Sequence, residues 1–145
     1  MDALKSYNAI SSQVDHSKPW DGRVQSTMVS LQQESRKNGQ SSDLQYTGEA
    51  TRTEGDYRGQ GVHEVTQGFS EELSKGGVHI AHNKFQSTLQ KGGATGQAAE
   101  ESYRMFDAGT GQAKDIDRDT YNRLFSQLTA GKEQWFAQNR VQEQQ

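Results

Sequence analysis

Apolar residues in this chain recur at intervals of three and four, separated by long polar stretches. Leu4, Tyr7, Ile10 and Val14 fall at spacings of three, three and four, which predicts one face of a short helix over residues 2–14. Pro19, the only proline, bars helix continuation through Lys18. Asp21 then offers an N-cap to a second helix carrying Val24, Met28 and Leu31 on one side and fading at Asn38-Gly39. Residues 40–61 hold four glycines and only Leu44, Tyr46 and Tyr57 as large apolar groups, which predicts a long polar loop.

Residues 62–93 are one sixteen-residue unit written twice, VHEVTQGFSEELSKGG and VHIAHNKFQSTLQKGG. Val-His, Phe, Leu, Lys and Gly-Gly recur at matching offsets. Val62, Val65, Phe69 and Leu73 in the first copy, and Val78, Ala81, Phe85 and Leu89 in the second, form narrow stripes at helical spacing. Each copy closes on a glycine pair, a helix stop, so residues 62–91 predict an antiparallel helical hairpin. Thr95 caps a further helix to Phe106, and Asp117 or Asp119 opens one carrying Tyr121, Leu124, Phe125 and Leu128 and ending at Gly131. Trp135, Phe136 and Val141 belong to a last polar helix that frays near Gln145. The fold expected is therefore all-α, with five to seven short helices around the central hairpin in a single domain spanning residues 1–145.

Composition makes the core thin. Hydrophobic residues are 30% of the chain, and adding the 15 glycines brings the total to about 40%, below the ~45–50% usual on that scale. A core this lean is shared with a partner or barely sufficient alone. There is no cysteine, which excludes disulfides and thiolate zinc sites. No apolar run nears the ~20 residues of a membrane span. The N-terminal stretch lacks the continuous apolar segment of a secretory signal, leaving the cytoplasm or export without a signal peptide. With a net charge of -3, a pI of 5.8 and scattered basic residues, a nucleic-acid surface is not expected.

Candidate chemistry centres on the histidines. His63 and His79 are repeat equivalents, and His82 lies three residues beyond His79. On a helix such a pair could hold a metal if further ligands converged, but no H-E-x-x-H spacing is present, since Glu64 follows His63 and position 67 is Gln67. No metal site is expected. His63 could pair with Glu64, or with Glu49, Glu54 or Asp56, as an acid–base couple. Residues 105–126 fail both registers of a calcium loop: counted from Asp115, Thr120 stands where Gly belongs and Ser126 where Glu belongs. The segments GGATG (92–96) and GTG (109–111) lack the lysine of a phosphate loop, so no cofactor is expected. Trp135 and Phe136, about 100° apart on a helix, cannot be buried equally by one face, so one docks in the chain's own core while the other meets a partner, or both pack on neighbouring helices.

These features favour a non-enzymatic helical protein–protein interaction or assembly module, such as part of a bacterial or viral complex or an exported protein. Its partner would be another protein or a second copy. Phe69, Leu73, Phe85, Leu89, Trp135 and Phe136 are the candidate interaction residues. The alternatives are a small hydrolytic toxin or nuclease domain using His63, Glu64, His79 or His82 with a loop acid, and a structural spacer in a larger particle.

Overall fold

The computed structural model describes residues 2–33, 36–37, 40–41 and 43–143, and the chain is built mainly of antiparallel sheet. Helix α1 (Ala3–Gln13) precedes strand β1 (Trp20–Gln33). Two short strands, β2 (Arg36–Lys37) and β3 (Gln40–Ser41), pair in line with the register of β1 and β4 (Leu44–Tyr57). Then follow β5 (Val62–Lys75), β6 (Val78–Lys91), β7 (Ala94–Phe106), β8 (Ala113–Asp115), α2 (Arg118–Leu128) and α3 (Glu133–Asn139). The six-stranded sheet runs β1-β4-β5-β6-β7-β8, every neighbour antiparallel.

Tight turns produce this meander. Lys75 pairs with Val78, and Gly76 and Gly77 between them take φ of 58° and 84°. Positive φ at both central residues is the type I′ requirement, whose twist matches that of the strands it joins. Lys91 pairs with Ala94 across Gly92-Gly93, with Gly92 at φ 59°. The glycine pairs are hairpin turns, not helix stops, and each sixteen-residue unit is one strand plus its turn.

Side chains alternate between the faces of a strand, so residues an odd number apart point opposite ways. Leu73 and Val62 therefore lie on opposite faces of β5, and Ile80 and Leu89 on opposite faces of β6. Two cores follow. On one face, Leu44, Tyr46, Ala50, Leu73 and Ile80 pack under Tyr121 and Phe125 of α2, Phe136 of α3 and Val141 beyond it. On the other face, at the opposite end of the sheet, Val62 and Leu89 pack under Ile10 and Val14, with Tyr7 and Tyr57 beside them. We call these the α2/α3 face and the α1 face. Glycine permits both coverings. A side chain at Gly96 would overlap the main chain of Tyr7, and one at Gly48 would overlap Val141.

Several expectations are thereby corrected. The fold is not all-α, and residues 62–91 are a β-hairpin rather than a helical one. The polar loop at 40–61 contains β4, whose residues 44–50 alternate strictly between buried and exposed. The helix started by Asp21 is β1, and the one capped by Thr95 is β7. The stop at Asn38-Gly39 and the end of the tail at Gln145 fall outside the described residues. Expected helices do form at both termini. Asp2 caps α1 by accepting from the Leu4 N–H at 2.9 Å, and Asp117 caps α2 by accepting from the Thr120 N–H at 2.6 Å. No helix among the described residues is long and apolar enough to cross a membrane.

Candidate functional site

Glu71 is fully buried on the α2/α3 face. An isolated charge there would be prohibitive, so the site is defined by what satisfies it. Tyr46 and Tyr121 donate their hydroxyls to it at 2.8 and 2.9 Å, and Arg140 donates Nε and Nη2 at 2.8 and 2.7 Å. The Val141 N–H in turn donates to the Tyr46 hydroxyl at 3.1 Å, and the Arg140 guanidinium lies 3.7 Å from the centre of the Phe125 ring. Burial, reinforced by the Glu71 charge, pushes both tyrosine hydroxyls well above their ordinary pKa. They stay protonated as donors. Both carboxylate oxygens of Glu71 are engaged by donors from α2, β4 and the C-terminal segment, so the node clamps α2 and that segment to the sheet.

The histidines named from sequence are scattered over both faces. His63, on the α2/α3 face, sits between Asp56 (Nδ1 to Oδ1, 2.9 Å) and Glu54 (Nε2 to Oε1, 3.2 Å). Hydrogen bonding to Asp56 leads a set of contacts that raise its pKa against a smaller opposing effect of burial. Two of the predicted acids thus reach it. Glu64 and Glu49 do not, because they lie on the other face; Glu64 instead accepts from the Tyr57 hydroxyl at 3.0 Å, and burial with that neighbouring charge pushes Tyr57 up to about 12. His79 is 3.6 Å from Glu72 and stacks on Phe106, with centroids 4.6 Å apart. His82, an odd step away on the opposite face, meets Glu101 at 2.9 Å and stacks on Tyr103 at 4.1 Å. The hydrogen bond from His82, then that from Tyr103, holds the Glu101 carboxyl below its usual range. Among the described residues no three His, Asp or Glu side chains are placed to hold a metal ion. Both ring nitrogens of His63 are taken by carboxylates, which leaves no free nitrogen to accept a substrate proton.

The predicted interaction residues divide by face. Phe69 and Leu73 pack into the α2/α3 core, Phe136 is buried there and Trp135 packs against it, their rings edge-to-face at 4.9 Å. Leu89 is buried under α1, whereas Phe85, on the same face, is 43% exposed. Phe85 stands beside Gly68, its cross-strand neighbour, on the wall of an open groove of about 660 Å³. Thr51, Ser70, Asn83 and Ser102 line this groove, and Glu49 and Glu100 give it acidic flanks. Val24 at 65% and Met28 at 72% exposure point to the same side from β1. Sequence reasoning missed the Glu71 node. Glu71 lies two residues from both Phe69 and Leu73, so a period of two would have placed it inside.

No protein-family model matches this chain, and comparisons with curated proteins and with solved structures give no match either.

Proposed function

We propose that the chain is a non-enzymatic protein-interaction module whose docking surface is the uncovered middle of the α1 face. The observation that carries this is that Val24, Met28 and Phe85, three exposed large hydrophobic side chains, lie on one face of the sheet, Phe85 towards its middle and the other two on its edge strand. Single exposed apolar residues are ordinary; several on a face left open beside a covering helix favour a binding surface. The repeat forms strands and not helical seams, and its two copies differ in how they are covered. Phe69 is packed by the C-terminal segments, while its equivalent Phe85 has no such roof.

The groove's charge selects the partner. Glu100 lies directly across from Phe85 and Glu49 borders the same groove. Its two cations are engaged elsewhere, Arg104 with Asp115 at 3.5 Å and Lys84 with Glu143 at 3.2 Å. The fitting partner is a protein segment that sets an apolar side chain against Phe85 with Lys or Arg on either side. Calorimetric titration with an amphipathic peptide bearing lysines, and with the same peptide bearing glutamates, tests this. Binding of the lysine peptide alone, weakened at least tenfold by Phe85→Ala and by Glu49→Lys with Glu100→Lys, is the expected result. Equal binding of both peptides, or indifference to Phe85→Ala, would refute it.

A further inference from the structure

We infer that two copies of this chain pair edge to edge through β1, continuing the six-stranded sheet across a two-fold axis. Residues 24–33, VQSTMVSLQQ, contain no charge, no proline and no glycine. Their register with β4 runs unbroken, from Trp20 opposite Tyr57 to Gln33 opposite Leu44, so no bulge twists the edge away. Among the described residues β4 is the only strand paired with β1. Sheet proteins usually blunt an edge with charge, proline, a bulge or a cover, because its unpaired main-chain groups are a template for another strand. The opposite edge shows such devices. β8 pairs with Arg104 to Phe106, Glu100 and Glu101 stand on β7, and α1 packs over that strand. The contrast singles out β1.

The occupant that suits this edge is the edge itself. Antiparallel two-fold pairing centred on Met28 sets Ser26 against Ser30, Val24 against Gln32 and Met28 against its own copy. Faces are preserved, and no like charges meet because the run carries none. Val29 and Leu31, partly buried at the rim of the α2/α3 core, would gain apolar cover from across the seam. A foreign peptide added to an edge is recognised through pockets for its alternate side chains. The groove described above lies over β4 to β7, away from β1. A self-complementary surface with one patch on both subunits is the condition for a closed two-fold dimer. The seam takes up Val24 and Met28 at the edge of the docking face, whereas Phe85, on an interior strand, takes no part in it, so Phe85→Ala tests docking alone and the pairing is read from the oligomeric state.

The chain has no cysteine, so one introduced thiol reports cleanly. Sedimentation of the full chain should show a concentration-dependent passage from monomer to dimer. Under mild oxidation Met28→Cys should form a disulfide-linked dimer, while Phe85→Cys, exposed on the same face but inside the sheet, should remain uncrosslinked at equal concentration. Ser26→Lys with Met28→Lys, at exposed positions, should leave the melting curve in place and raise the dimer dissociation constant at least about tenfold, or ~1.4 kcal/mol. A monomeric mass up to about 1 mM, where even a weak interface of ~4 kcal/mol is half-formed, would overturn the inference. A dimer unmoved by the lysine variant would overturn it as well.

Discussion

The two copies of the repeat place the same residues in different surroundings. Because each unit is a strand and its turn, equivalent positions emerge on opposite faces. Leu73 is buried under α2 and α3, and Leu89 is buried under α1. Two positions before each leucine lies a buried polar residue that accepts a tyrosine hydroxyl from the covering helix. In β5 it is Glu71, reached by Tyr121 of α2; in β6 it is Ser87, reached by Tyr7 of α1 at 3.1 Å. Four positions before the leucine stands phenylalanine, packed in one copy and open in the other. The ends thus share a plan, but one is locked by a charged node with four donors and the other by neutral hydroxyls, Tyr7 and Thr66 meeting at Ser87. A buried charge binds its partners more strongly and tolerates their loss less.

The largest consequence lies at the charged end. Arg140→Ala leaves Glu71 buried without its cation, and should cost about 3–5 kcal/mol in denaturant unfolding. Tyr7→Phe, at the neutral end, should cost about 1 kcal/mol. Equal losses would mean that the charged node contributes no special restraint, and the asymmetry would go.

A middle-sized effect separates the phenylalanines. Phe69→Ala opens space beside the α2/α3 core and should destabilise by about 2–4 kcal/mol. Phe85→Ala removes an exposed ring and should cost less than about 1 kcal/mol. Near-equal costs in thermal melts would show that Phe85 is held as firmly as Phe69, contrary to a face kept open for a partner.

The same geometry explains what the sequence could reveal. The terminal helices are short, covered on one side and capped by aspartate, so Tyr7, Ile10 and Val14, and Tyr121 and Phe125, show their spacing plainly. The long strands do not, because each serves one core at one end and the other core, on the opposite face, at the other. Going from Val62 to Val65 the apolar positions of β5 change face, and Val65, Phe69 and Leu73 then recur every fourth residue, a step common to helix and strand. In β4, Gly48 and Ala50 occupy inward positions without a hydrophobic signal, which made the strand look like a loop. Gly76-Gly77 is as apt for a type I′ turn as for a helix stop, and only the register decides. The candidate site is half legible: Phe85 stands out as an apolar repeat position, though on a strand and not in a helical seam, whereas Glu71 falls off the helical spacing of Val65, Phe69 and Leu73 and gives no sign of burial.

The smallest expected effect compares the paired histidines. His63 lies between Asp56 and Glu54, whereas His79 has Glu72 at 3.6 Å and the Phe106 ring. The hydrogen bond to Asp56 leads the raising of the His63 pKa. A histidine raised on folding stabilises the native state fully below its unfolded pKa of ~6.5, and that contribution is lost as pH climbs through the higher folded value. The imidazole resonances should therefore show His63 titrating above ~6.5. Asp56→Asn, which removes the leading contact, should bring it down. The stability difference between wild type and variant should shrink as pH rises through the His63 transition. A His63 midpoint indifferent to Asp56→Asn would mean that the carboxylate contact is not populated in solution.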